Sequence, residues 1–228
     1  MFKRIRANIN ISKINPLSKA EIDTILIDKI DSSFEKLGLN KKLGNRIWFS
    51  DFDSEGTKNV IRFQLSKGLG AVFIFGKCFS FLPTISNNSR FINHKTDKST
   101  KLHLFDYSSH IYSNSLVSKK SLEISIINQN EFKNGISNMF NFGVEYIDEW
   151  FNSNNTISNC LSTAENQLKS NDKYSTHFPN QNYVLSFLYN QLGDKENTEL
   201  YLNQFLNHRA CSDELEFKIR SKLNLKLL

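Results

Sequence analysis

Cysteine, glycine and proline are scarce in this sequence of 228 residues, which contains three, nine and three of them respectively. Three widely spaced cysteines without a Cys-x-x-Cys pair argue against a disulfide framework and a structural zinc site, and low glycine and proline exclude collagen-like chains. No apolar run approaches the roughly 20 residues that a membrane-spanning helix needs. The basic first fourteen residues lack the apolar core of a secretory signal. We therefore predict a globular, cytoplasmic protein without a metal, a cofactor or a membrane partner.

Phenylalanine and basic residues are plentiful instead. Nineteen phenylalanines indicate an aromatic-rich core. There are 18 basic and 10 acidic residues over Met1–Asn114, but 11 basic and 13 acidic residues over the remainder. A basic first half could steer the chain towards an anionic partner such as nucleic acid or a phosphorylated ligand. Because no run of five basic residues occurs, a general bias towards lysine and asparagine explains the charge more simply.

The first half of the chain has the pattern of one helix followed by a sheet. Ser18-Lys-Ala-Glu21 has the spacing of a capping box, and apolar residues follow at three- and four-residue steps as far as Gly38. This predicts an amphipathic helix of about five turns. Strand-like segments with turns between them follow at Arg46–Phe52, Asn59–Ser66 and Ala71–Leu82. The third is apolar on both sides, which predicts a central strand covered on both faces.

The polar segment Thr84–Lys101 is predicted to be a long surface loop, and two further strands are predicted at Leu102–Tyr112 and Leu122–Ile127. From Asn128 the apolar period becomes helical. The predicted fold class is α+β: an N-terminal helix and an antiparallel meander sheet of about four to five strands, followed by an all-helical C-terminal part of about five helices. We expect an α+β subdomain over residues 1–127 and a helical subdomain over residues 128–228, packed as one body.

The first two strands offer a candidate ligand surface. Trp48 is out of phase with its apolar neighbours, and so are Arg62 and Gln64; Lys67 lies just beyond them. If the strands pair as a hairpin, these four residues could share one face, with an aromatic ring beside basic groups as in nucleic-acid-binding sheets. The alternative, which we favour, is that Trp48 is covered by the C-terminal helices.

Two further groups of residues could carry chemistry. Glu145, Asp148 and Glu149 lie close together on a predicted helix. They are typical of a solvated acidic face, but they could also form the docking site of a basic partner. His103 and His110, with Asp106, cluster near the polar loop, where no metal-binding spacing is present.

Residues 34–81 resemble an uncharacterised bacterial family, domain-of-unknown-function family 4304. The likeness is carried by FEKLGLNKKLGNRIWF, by VIRFQLSK with its Phe63-Gln64-Leu65-Ser66 motif, and by AVFIFGKC, which contains Gly76. The family's usual Asn-x-Gly at the end of the third strand is absent, since Ile74 and Phe75 precede Gly76. The resemblance implies no known activity. Small α+β domains of this kind are similar to immunity or antitoxin partners in toxin systems.

Three functions follow in order of preference. The first is a non-catalytic protein-binding protein, for example an immunity or antitoxin-type partner of a bacterial toxin, because no catalytic set of residues stands out. A nuclease target would require the acidic residues between Glu145 and Glu149 to supply a patch that imitates nucleic acid. The first alternative is a nucleic-acid- or phosphoanion-binding protein that uses the basic N-terminal half. The second alternative is an enzyme with a site near His103, Asp106 and His110.

Overall fold

The computed structural model describes residues 16–66, 70–86, 90–108, 124–170, 180–207 and 212–225, and it has the predicted α+β fold. The helices in these ranges are α1 (Lys19–Glu35), α2 (Gln129–Asn138), α3 (Val144–Ser153), α4 (Ile157–Lys169), α5 (Gln181–Gln191), α6 (Lys195–Asn207) and α7 (Asp213–Lys222). A π-helical turn, Met139–Gly143, joins α2 to α3. None of these helices has both the length and the apolar composition required to cross a membrane.

The strands are antiparallel wherever they pair. They are β1 (Lys41–Leu43), β2 (Ile47–Phe49), β3 (Thr57–Leu65), β4 (Gly70–Phe79), β5 (Thr84–Ser86), β6 (Arg90–Ile92), β7 (Leu104–Tyr107) and β8 (Ile124–Ser125). The main sheet has the order β1-β2-β3-β4-β7, and β8 pairs with the first residues of β4. Strands β5 and β6 pair with each other in a separate small sheet. The prediction of an uninterrupted loop over Thr84–Lys101 is therefore wrong, because strands of three residues are too short to leave a periodic signal.

Helix α1 begins and ends as its sequence predicts. The side chain of Ser18 accepts a hydrogen bond from the backbone N–H of Glu21, and the Glu21 carboxylate accepts one from the Ser18 N–H in return. After the helix, Gly38 has a φ of +74°, a left-handed conformation that favours glycine. The apolar stripe between these points packs against the sheet.

The two faces of the main sheet are covered by different parts of the chain. Helices α1, α2 and α3 cover one face, here called the helix face, where the buried sheet residues are Trp48, Ile61, Phe63, Ala71, Phe73 and Phe75. The opposite face carries a smaller cluster of Phe49, Val60, Ile74, Cys78 and Leu102. Both faces of β4 thus contribute to apolar clusters, as its sequence predicts. On the face opposite the helices, the cluster includes Leu102 from the segment before β7.

A second hydrophobic core is formed mainly by helices α4 to α7. It includes Phe79 and Leu104 from the ends of β4 and β7, together with Leu82 and Ile85. Trp150 of α3 packs against both cores. The boundary between the two cores therefore lies between α3 and α4, whereas the predicted boundary between the two subdomains falls at residues 127/128, before α2. Whether either part is an autonomous domain stays a prediction.

Strands β4 and β7 approach each other unusually closely at Gly76. A Cβ atom at this position would overlap the carbonyl oxygen of Leu104 and lie 2.6 Å from the Cα atom of Phe105. Backbone atoms cannot move aside as a flexible side chain can. The strand pair therefore requires glycine at this position.

Candidate functional site

The register of the sheet separates the residues of the predicted sheet-face site. Trp48 pairs with Ile61, so it lies on the helix face, whereas Arg62 is the next residue of β3 and lies on the opposite face. Trp48 is only 2% exposed and packs edge-on against Phe34 of α1, with ring centroids 5.1 Å apart. The hypothesis that Trp48 shares a ligand surface with Arg62 and Gln64 is wrong. Trp48 is buried, as the alternative predicts, but the helix that its ring contacts edge-on is α1, not a C-terminal helix.

Arg62 links the segment before β7 to the sheet through a hydrogen bond to Thr100. Its Nη2 atom donates a hydrogen bond to the Thr100 carbonyl oxygen at 3.1 Å, and burial lowers the pKa of the guanidinium. Gln64 points to the same side and is exposed. Lys67 lies outside the described residues. The four residues therefore do not form one surface.

His103 is a fully buried residue of the fold. Its Nδ1 atom accepts a hydrogen bond from the Phe79 N–H at 2.9 Å, and its ring stacks on the Phe79 ring with centroids 5.8 Å apart. Burial drives the pKa of His103 well below its usual value, so the imidazole is neutral and its proton is on Nε2. In this position His103 cannot contact a substrate in solvent.

The other residues near His103 do not complete a catalytic set. His94 lies 5.2 Å from His103 between ring centroids, and its Nε2 atom is hydrogen-bonded to the Thr84 hydroxyl. Asp106 accepts a hydrogen bond from the backbone N–H of the next residue, and His110 lies outside the described residues. Across the part of the chain that is described, no three His, Cys, Asp or Glu side chains are arranged to hold a metal ion.

The side chains of several basic residues in the first half of the chain are buried in the protein. Lys58 is buried, its Nζ donates to the Asp97 carbonyl oxygen at 3.0 Å, and it lies 3.9 Å from the ring centroid of Phe52. Lys77 is also buried. Burial lowers the pKa of both lysines. The surface therefore offers fewer cations to a nucleic acid than the composition indicates.

The outer surface of α3 combines carboxylates with exposed aromatic rings. We call it the acidic-aromatic face, and it consists of Phe142, Glu145, Tyr146, Asp148 and Glu149. Phe142 is 50% exposed and Tyr146 is 37% exposed, while the three carboxylates are exposed. None of the three forms an ion pair with any residue that the structure describes. Large exposed aromatic groups beside uncompensated charge are a common composition of binding surfaces.

The π-helical turn keeps the buried side of this long helix aligned with the sheet. Buried Met139 and Ile147 are eight residues apart, one more than the seven that fit two turns of a regular α-helix. The turn absorbs the additional residue through a hydrogen bond from the Val144 N–H to the Met139 carbonyl oxygen, five residues back. Phe142 belongs to this turn and is exposed. The eight-residue step in the sequence was the available signal for it.

Comparisons with protein-family models, with curated proteins and with solved structures gave no significant match to this chain. The resemblance of residues 34–81 to domain-of-unknown-function family 4304 therefore stays a prediction.

Proposed function

We propose that this protein is a non-catalytic binding protein that docks a basic surface of another protein on its acidic-aromatic face. The observation that carries the proposal is the exposure of Phe142 and Tyr146 among three carboxylates that form no ion pair with the residues the structure describes. Aromatic side chains supply most of the binding energy in many protein interfaces, and the charges around them steer and select the partner.

The partner that fits this surface is a bacterial toxin with a basic active surface, for example one that acts on nucleic acid. An acidic patch can occupy such a surface in place of the nucleic acid, which makes an immunity or antitoxin role consistent with the chemistry. The net positive charge of the whole chain does not oppose this role, because the acidic residues lie in its net acidic second half. The role is supported by the charge and shape of one helix surface, not by a match to known proteins.

The experiment measures binding of a purified toxin-like protein encoded next to this gene by isothermal titration calorimetry. We expect Phe142→Ala and Glu149→Lys each to weaken binding by at least about tenfold. Phe217→Ala is a matched control, since Phe217 of α7 is 53% exposed, and Glu35→Lys is the control for charge reversal at an exposed residue of α1. Both controls should leave the affinity within about twofold. Equal affinities for all four variants and the unaltered protein would contradict the proposed surface.

A further inference from the structure

A polar cleft opens where the C-terminal end of α3 meets β3 and β4. Its volume is about 230 Å³, and the residues that line it include Asp53, Asn59, Lys77, Phe151, Asn152 and Asn155. It is here called the Lys77 cleft. Its lining residues do not include those of the acidic-aromatic face, so the inference below does not rest on the proposed docking function.

Lys77 and Asn59 are neighbours within the cleft. They are register partners on β4 and β3, so both side chains project from the helix face of the sheet. Lys77 is 4% exposed, and its Nζ atom lies 5.9 Å from the ring centroid of Phe151. With respect to the described residues, this ammonium forms no ion pair and donates no hydrogen bond. The charge of Asp53 favours the ammonium, but the effect of burial is larger, so an anion that enters the cleft would stabilise the charged form of Lys77 further.

Asn59 contributes an unused acceptor beside this unused donor. Its Oδ1 atom is buried and has no hydrogen-bond partner among the residues that the structure describes, while its backbone N–H donates to the Ser50 hydroxyl at 3.0 Å. The backbone is therefore fixed, and the side-chain oxygen is available to a ligand. A ligand that satisfies both residues needs an anionic acceptor for Lys77 and a hydrogen-bond donor for Asn59.

Asp53 limits the charge of that ligand. Its Oδ1 atom accepts from the backbone N–H groups of Glu55 and Thr57, and its Oδ2 atom accepts from the Thr57 hydroxyl. These bonds hold the carboxylate in the turn between β2 and β3, where it lines the cleft without bonding to Lys77. A carboxylate at this position repels multiply charged anions such as phosphate more strongly than it repels a monoanion.

We propose that the Lys77 cleft binds a small monocarboxylate that carries a hydroxyl group beside the carboxylate, as in an α-hydroxy acid. The carboxylate accepts from Lys77 Nζ, and the hydroxyl donates to Asn59 Oδ1. Burial lowers the pKa of Lys77, so binding of the carboxylate raises that pKa towards the usual lysine value.

The test uses the full chain with ¹³C-labelled lysine and follows the Lys77 Cε resonance, which is assigned by its loss in Lys77→Met. Glycolate is the probe, and acetate, which lacks the hydroxyl, is its matched control. We expect a saturable shift with a Kd of roughly 1 mM for glycolate and at least about tenfold weaker binding of acetate. Inorganic phosphate should bind more weakly than glycolate. Tighter binding of phosphate, or no saturable shift with glycolate, would overturn the proposal.

Three variants distinguish the site from general effects of lysine substitution. By calorimetry, Lys77→Met should abolish glycolate binding without lowering the thermal midpoint, because it removes a buried charge. Asn59→Ala should reduce the affinity for glycolate to that for acetate. Lys29→Met, at an exposed residue of α1, should bind glycolate as the unaltered protein does. Glycolate binding that persists in a folded Lys77→Met variant would also overturn the proposal.

Discussion

Two imidazoles, the half-buried one of His94 and the fully buried one of His103, make the stability of this protein depend on pH. Burial lowers the pKa of His94 to about 4 and that of His103 well below its usual value. In the unfolded chain both groups bind protons near a pKa of about 6.5. The unfolded state therefore binds more protons below that pH, and the free energy of unfolding decreases as the pH falls from about 6.5 towards 4.

We expect the free energy of unfolding to fall by at least about 1 kcal/mol between pH 7 and pH 5, as measured by urea denaturation. His94→Gln should show a smaller decrease over the same range. The variant removes one of the two groups that titrate, and glutamine can still form a hydrogen bond with the Thr84 hydroxyl. A decrease that is as large in His94→Gln as in the unaltered protein would show that His94 does not contribute.

The positions of single residues show what the sequence pattern of a strand cannot predict, namely how the strand pairs with its neighbours. The alternation in β2 and β3 correctly indicates which residues of each strand face the same way. It does not give the register between the strands, and a shift of one residue exchanges the two faces. For this reason the hypothesis of a surface shared by Trp48 and Arg62 was wrong, and the two residues lie on opposite sides of the sheet. The place of Lys77 in the cleft left no pattern in the sequence, because it depends on strand pairing and on a helix end far away in sequence.

At the level of elements, the π-helical turn between α2 and α3 offers a specific test. Deletion of Asn141 shortens the step from Met139 to Ile147 from eight positions to seven, the spacing of a regular α-helix. The buried stripe should therefore survive, with a free energy of unfolding within about 1 kcal/mol of the unaltered protein. Phe142 should lose its place in the acidic-aromatic face, so binding of the partner should weaken.

Deletion of Gln204 in α6 is the control for this prediction. It shortens the step between the buried residues Leu202 and Phe205 to two residues, which places them on different sides of the helix. Thermal unfolding followed by circular dichroism at 222 nm should show a large loss of stability in this control. A comparable loss on deletion of Asn141 would mean that the π-helical turn is required for packing.

The elements that could be predicted are those with strong local signals. Helix α1 has a capping box, a long apolar stripe and a left-handed glycine at its end, and its limits follow from them. Strands β1, β5 and β6 have three residues each, and their stability comes from pairing partners elsewhere in the chain. A window of three residues contains too few positions for an alternating pattern, so β1 was not predicted, and β5 and β6 fall within the predicted loop.

At the scale of the whole molecule, several contacts join the two cores. The backbone N–H of Ile157 in α4 donates to the Glu55 carboxylate at 2.9 Å, and the Gln167 side chain donates to the Phe105 carbonyl oxygen at 3.3 Å. Trp150 packs against both cores. Because the shared contacts are buried or partly buried, opening one core exposes apolar surface of the other.

We therefore expect a single cooperative unfolding transition. Tryptophan fluorescence reports on the first core through Trp48 and Trp150, while circular dichroism at 222 nm also reports on helices α4 to α7. The two midpoints in urea should coincide, and Glu55→Ala should lower both by the same amount. A fluorescence transition that separates from the circular dichroism transition would indicate two independently unfolding units.

The close approach at Gly76 has a consequence beyond this one chain. Any sequence that keeps the close pairing of β4 with β7 must have glycine at the position of Gly76, because even a methyl group would overlap backbone atoms of β7. Substitutions can change the aromatic residues around Gly76, but the steric requirement for glycine remains. We therefore expect remote relatives of this protein to carry a glycine at this position, in the middle of an otherwise apolar strand.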